Sequence, residues 1–433
     1  MSPKSSLLEA LAADAASHIT LLQSFVRAPS PNPPGNTEAA AKVLTDYLTS
    51  HNIPYTIIEP VTGKTNIVSE FTGSAGPGPR VVLNGHIDVF PVDPTTIPQW
   101  DRDPWSGDVE NRRIHGRGVV DMKSGTASLI IAYAYLYARQ EELSGSVALC
   151  AVSDEETGGR WGTQYLIQED RRRWGGDVML SAEPSGKTIR FSEKGTLRVS
   201  GSVRMSGAHG AYLNLSKGAI RTATTFLNEV VKAVESIEPT PPPEIAKYLT
   251  DPEVLRAVDE AMGPGTSSII AKPTVNIGTI SGGVKVNMIP DHCAFELDIR
   301  LPIGLTAEEV LGVLDDIVRK HEGQDTTGQT RIELAKQEAA SNPSSFSVIH
   351  HPIIDLIKRN AEAPGVGETK PAMIPSMGAT DCKHYRYAGV PAYVYGCSPL
   401  TMASVNESAS VDEFLHVTKV HALTVWDYLT REH

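Results

Sequence analysis

Several imidazole and carboxylate groups in this chain fall where an apolar run gives way to a loop. His86 and Asp88 form Gly-His-Ile-Asp directly after Val81-Val82-Leu83-Asn84. Residues two apart on extended chain point the same way, so Asp88 is placed to hold the second ring nitrogen of His86, a common support for a metal-bound imidazole. Asp121 ends Gly116-Arg117-Gly118-Val119-Val120 ahead of an apolar helix, where an aspartate can also act as a simple cap. Glu155 and Glu156 follow Asp154 after the run Val147–Val152, and three successive acids there are costly unless something cationic neutralises them. Glu183 lies in Ser-Ala-Glu-Pro after Val178-Met179-Leu180. Each group alone has an ordinary explanation on a solvated loop. Together His86, Asp121, Glu156 and Glu183, spaced 35, 35 and 27 residues apart, form a mixed imidazole and carboxylate set suited to zinc, manganese or cobalt. A carboxylate shared between two ions would give the ~3.5–4 Å pair used in metal-assisted hydrolysis.

The elements that must position these groups are of two kinds. The runs at Val81–Leu83, Val147–Val152, Val178–Leu180 and Ala392–Tyr395 are apolar without alternation, as expected of strands inside a mostly parallel sheet covered by helices on both faces. Open α/β sheets bind ligands beyond the carboxyl ends of such strands. A second kind alternates: Leu197, Val199, Gly201, Val203 and Met205 interleave with polar residues, and so do Phe295, Leu297, Ile299 and Leu301. Period two marks a sheet with one packed and one wet face. A helix is predicted from about Gly218 to Ile237 and another from Thr306, where Glu309 stands at capping-box spacing. With a strand at Arg331–Ala335, the order from about 190 to 336 is β-α-β-β-α-β, a ferredoxin-like pattern inserted in the α/β domain. The expected division is residues 1–188 and 339–433 for the α/β domain and 189–338 for the insert. The Pro-rich stretch Glu238–Thr266 is read as a surface excursion within the insert.

Composition removes several classes. The 433 residues suit two domains better than one core. The chain carries 39 Lys and Arg against 51 Asp and Glu, a net charge of −12, and so lacks the basic balance that nucleic-acid binding requires. The longest apolar run, Leu129–Ala138, is about half the ~20 residues a bilayer span needs and reads as a buried helix. No basic segment followed by an apolar core opens the sequence, and Cys150, Cys293, Cys382 and Cys397 show no CxxC pairing. A cytoplasmic, reduced setting is the expectation.

In its motifs the sequence resembles the di-zinc amidohydrolases of peptidase family M20, which include aminoacylase, acetylornithine deacetylase, succinyl-diaminopimelate desuccinylase and glutamate carboxypeptidase. The matching stretches are NGHIDVFP, WDRDPWSGDVENRRIHGRGVVDMKSG, SDEETGG, SAEPSG, SGAHGAYLNLSKGAI, VNMIPDHCAFELDIR and MGATDCKHYRYAGVPAYVYG, in family order over most of the chain. The resemblance implies that His86, Asp121 and Glu183 hold one ion. Asp121 would bridge to a second, with Glu156 as its further ligand. It implies that Asp88 orients His86 and that Glu155 is the general base toward the attacking water. It further implies that the insert is a lid and dimerisation domain. His209 would reach a partner subunit's site to stabilise the oxyanion, and Asn287 and Arg300 would contact substrate. Zn²⁺ is the first expectation for the metal, as one or two ions, with Mn²⁺ or Co²⁺ as alternatives.

One family position is missing. Aligning Asn406-Glu407 with the family's closing Glu puts Ala403 where a His completes the second metal site, and no His occurs between His384 and His416. Three arrangements remain open: a second ion held weakly by Asp121, Glu156 and water; a substitute ligand among Glu407, Asn406, Cys397 and His384; or a single ion at His86, Asp121 and Glu183. Weak or absent occupancy is the expectation. His384 and His115 are read as packing residues, and His350 and His351 as solvated.

The reading is therefore a homodimeric metallohydrolase that cleaves an amide bond in an N-acyl amino acid, a dipeptide or a related small carboxylate. Its partner is a small-molecule substrate, with no nucleic acid and no membrane. Two rivals are a deacylase or amide-forming enzyme on a specialised metabolite, and a catalytically silent binding relative.

Overall fold

The computed structural model describes residues 2–325, 328–367 and 369–431. The chain divides into two compact units. One comprises Met1–Phe191, Phe346–Ile374 and Thr380–His433; the other comprises Ser192–Ser345 and Pro375–Ala379. Against the bounds of 189 and 338 read from the sequence, the inserted unit extends to Ser345 and also takes back the short segment Pro375–Ala379.

In the first unit the strands Ser144–Val152, Gly76–His86, Val178–Ser181 and Ala392–Val394 lie side by side and run parallel. These are the four runs without alternation. Both their faces are covered, so no polar face had to be kept. Asn66–Thr72 and Thr56–Ile58 extend one side of the sheet with antiparallel pairing, and Ile189–Glu193 pairs antiparallel with Ala392–Val394 on the other. The helix Ser124–Tyr137 is buried along nearly its whole surface and packs against the strand Gly76–His86 and the C-terminal helix Val411–Thr430. A helix apolar all round belongs inside a core. The register sets His86 opposite Val152 and Asn84 opposite Ser181, so three neighbouring strands end within two residues of one another.

The second unit is a four-stranded antiparallel sheet in the order Thr274–Gly282, His292–Leu301, Gly195–Arg204, Arg331–Lys336. The helices Ala219–Glu235 and Ala307–Gly323 supply the apolar faces that meet the buried residues Leu197, Val199, Phe295, Leu297 and Ile299. The chain order is β-α-β-β-α-β. At Gly201 a Cβ would stand 2.5 Å from the Phe295 ring, which is why the apolar alternation carries a glycine there. The capping box of Thr306 and Glu309 forms in both directions. The Pro-rich stretch, read from sequence as a surface excursion of the insert, is built of short helices, Pro243–Leu249 and Pro252–Met262, with most of their residues at the surface. Each starts on a proline, whose fixed φ and missing N–H cost nothing in a first helical turn.

Candidate metal centre

His86 is the last residue of its strand, and Asp121 sits in the irregular turn Val119–Lys123 that feeds the buried helix. Gly118 opens that turn at φ 76°, and a Cβ there would overlap Val89. Glu155 and Glu156 begin the single turn after Ser144–Val152, and Glu183 follows Val178–Ser181. Nε2 of His86 lies 3.2 Å from an Asp121 oxygen and 3.6 Å from a Glu183 oxygen. One donor atom from each of the three residues falls within 4.8 Å of the others. Among the described residues this is the one group of three or more His, Cys, Asp or Glu donors that converges in this way.

The orientation of the imidazole differs from the sequence expectation. Nδ1 donates to the backbone carbonyl of Asp88 at 2.7 Å, whereas the Asp88 carboxylate is 3.7 Å away. That carboxylate, fully buried, accepts from the backbone N–H groups of Glu155 and Glu156, both at 3.2 Å, and from the Asn32 amide at 2.8 Å. Asp88 therefore fixes the turn that carries the two glutamates. With its proton on Nδ1, the ring turns an Nε2 lone pair towards two carboxylates, an arrangement that suits a cation between them.

The acid triplet resolves into different environments. Asp154 has its own cation, Lys64, at 2.7 Å, together with the Thr157 hydroxyl and the Trp161 N–H. Burial works against its charge, but these partners prevail and hold its pKa below the ordinary value. Glu155 has Lys383 Nζ at 3.9 Å, and Glu156 leaves Oε1 buried without a partner. Burial pushes the carboxyls of Glu155, Glu156 and Glu183 upward; the mutual repulsion of these acids with Asp121 adds to it, and His86 opposes it. Burial lowers His86, yet Glu183, Asp121 and their neighbours outweigh it and raise the ring well above its usual value. The side chains thus crowd more negative charge into one buried place than their own cations balance, and a divalent metal fits that imbalance.

His209, Asn287 and Arg300 belong to the second unit. His209 pairs with Met288 in a two-residue ladder, and the Gly210 N–H bonds the Asn287 carbonyl at 2.8 Å, so the structure brings His209 and Asn287 together on an exposed edge. The Arg300 fork is engaged by Asp298 at 2.9 and 3.1 Å and by the Thr196 hydroxyl at 3.2 Å. Of the substitute ligands considered for a second ion, Glu407 is buried against Arg117 at 2.7 Å. It also accepts from the N–H groups of Gly118, Val120 and Asp121. His384 bonds the Gly158 carbonyl at 3.0 Å. His351, expected to be solvated, instead caps the helix Pro352–Ala361. Asn32, Lys64 and Lys383 went unread in the sequence. The signal for Lys383 was its place in the MGATDCKHYRYAGVPAYVYG block, and Asn32 and Lys64 carried none.

Residues 82–427 match the model of the peptidase family M20/M25/M40, and the chain belongs to that family. It is similar to a succinyl-diaminopimelate desuccinylase of Methylobacterium nodulans, 26% identical over 421 residues that cover 93% of this chain and 94% of that protein. Among solved structures it is similar to an M20 family metallo-carboxypeptidase from Sulfolobus solfataricus, with a TM-score of 0.75, 18% identity, and 96% and 99% of the two chains covered. It is also similar to a di-peptidase from Saccharomyces cerevisiae, with a TM-score of 0.76, 16% identity and both chains fully covered at 100%. The chain is a metal-dependent hydrolase of amide bonds that acts on small molecules. Among the described residues no helix is long and apolar enough to cross a membrane.

Proposed function

We propose that this enzyme hydrolyses the amide bond of an N-acyl amino acid or dipeptide at the centre formed by His86, Asp121 and Glu183. The observation that carries the reading is the convergence within 4.8 Å of His86 and Glu183, at the ends of neighbouring parallel strands, with Asp121 from the turn before the buried helix, and Glu155 on an adjoining turn. Three protein ligands with an open position are the pattern of catalytic rather than structural zinc, so Zn²⁺ is the first choice, with Mn²⁺ and Co²⁺ compatible with the same donors. A divalent cation held there supplies Lewis acidity to the attacking water and the scissile carbonyl.

Glu155 takes the proton of the attacking water and delivers it to the leaving nitrogen. Lys383, 3.9 Å from its Oε1, favours the carboxylate form that accepts the proton. Asp88 holds the backbone of Glu155 and so its direction of approach. His209, on its exposed ladder, is the group we assign to the oxyanion, contributed by a second copy of the chain in a homodimer; Asn287 and Arg300 are assigned to the substrate. Desuccinylase and di-peptidase activities of similar proteins support an acyl amino acid or dipeptide substrate.

Glu155→Gln tests the assignment. It should lower kcat by about 10²–10⁴-fold while cation content stays at the wild-type level. Full turnover in that variant removes Glu155 from the reaction. Mixing Glu155→Gln with His209→Ala should restore some activity through hybrid dimers, and no restoration removes His209 from the partner's site.

A further inference from the structure

We infer that this chain builds a site for one cation and not for two, an inference that rests on the centre proposed above. A bound catalytic metal needs about three protein donors before water or substrate completes its shell. The first position has them in His86, Asp121 and Glu183. A second position would share Asp121 and add Glu156, whose Oε1 is buried without a partner, and it then lacks a third donor.

The side chains that the sequence offers as substitutes for that donor are absent or engaged elsewhere. Position 403 is an alanine on an exposed turn at φ 58°. Four residues on, Glu407 is held by Arg117 and by three backbone N–H groups of the Asp121 turn, which use both of its oxygens. Asn406 Oδ1 accepts from the Asp101 N–H at 2.8 Å. His384 Nε2 is engaged by the Gly158 carbonyl, and the buried Cys397 thiol packs beside Ser124. None of these joins a converging set of donors. Glu407 thus shapes the loop that presents Asp121 instead of binding metal itself.

Position 403 also provides the test. Histidine is among the residues that tolerate the left-handed region, so Ala403→His can adopt the native backbone there. Metal-stripped wild type, Ala403→His and Glu183→Ala are loaded with excess Zn²⁺, desalted, and counted by elemental analysis. The wild type should retain about one ion per chain, Ala403→His about two, and Glu183→Ala less than the wild type. Loading with Mn²⁺ gives an independent reading by electron paramagnetic resonance. The wild type should show isolated bound Mn²⁺ with the surplus as free aqua ion, and Ala403→His the exchange-coupled signal of a pair.

Two retained ions or a coupled pair in the wild type overturn the single-cation inference while leaving the proposed hydrolysis intact. An Ala403→His protein that holds no more metal than the wild type overturns the assignment of the missing donor to position 403. A wild type that retains no ion and cleaves no amide removes the underlying centre, and the inference with it.

Discussion

The carboxylate of Asp88 passes within 3.7 Å of the His86 ring yet leaves Nδ1 to its own main-chain carbonyl at 2.7 Å. Ring orientation and turn orientation are thereby divided between the backbone and the side chain of one residue. Asp88→Asn should separate them. The backbone carbonyl persists, so the ring and the cation should be retained. The new amide would set an N–H₂ against donors that now meet a carboxylate oxygen, so kcat should fall by about 10–100-fold. Parallel loss of metal and activity would show that the carboxylate holds the ring after all.

Lys383 stands 3.9 Å from Glu155 and also donates to the Thr380 carbonyl at 3.1 Å. Lys383→Met should reduce kcat by about tenfold or more with KM little changed, since the effect acts on the base and not on substrate binding. Lys383→Arg should recover most of the loss by restoring the charge. A variant in which Met and Arg behave alike would assign Lys383 to packing.

Much of this centre was legible before the coordinates, and the reason is physical. Parallel strands buried on both faces cannot alternate, so the four central strands announce themselves, and acids gathered at several of their ends point to one shared site. The residues that tune the centre are hidden for the opposite reason. Asn32, Lys64 and Lys383 are single residues of common type whose partners Asp88, Asp154 and Glu155 are distant in sequence. No local pattern encodes such contacts. The helices within the Pro-rich stretch were not predicted, although Pro243 and Pro252 both stand at the one helical turn where proline is welcome.

Acid should weaken the fold through buried histidines. Burial lowers His421 to about 4, and its Nε2 donates to the Tyr395 carbonyl at 2.7 Å while Nδ1 has no partner. His18 and His351 are likewise lowered by burial to about 4. The unfolded chain takes up these protons near pH 6.5, and the folded chain only near pH 4. Stability is thus full above about pH 6.5 and is lost as the pH falls from there towards 4. His421 alone accounts for up to about 3 kcal/mol of that loss. His421→Gln keeps an N–H for Tyr395, and its denaturant midpoint should fall less between those pH values than the wild type's. Equal slopes would exclude His421 from the acid response.

The strand Thr274–Gly282 is paired on one side, by His292–Leu301, and its Ile277 and Ile280 are exposed. Val284 and Val286, just beyond it, are 90% and 102% exposed. An unpaired edge with apolar side chains calls for a covering partner. Light scattering should report a dimer for the wild type and a monomer for the double variant Val284→Asp, Val286→Asp. A monomeric wild type at micromolar concentration would remove the homodimer from the proposal.

The grip of Glu407 on the Asp121 turn also orders events in time. All three donors of the cation position are synthesised well before residue 407 leaves the ribosome, yet the turn carrying the central one is shaped by that late carboxylate. A nascent chain should therefore remain a poor scavenger of cellular metal until this far segment has folded back and locked the turn.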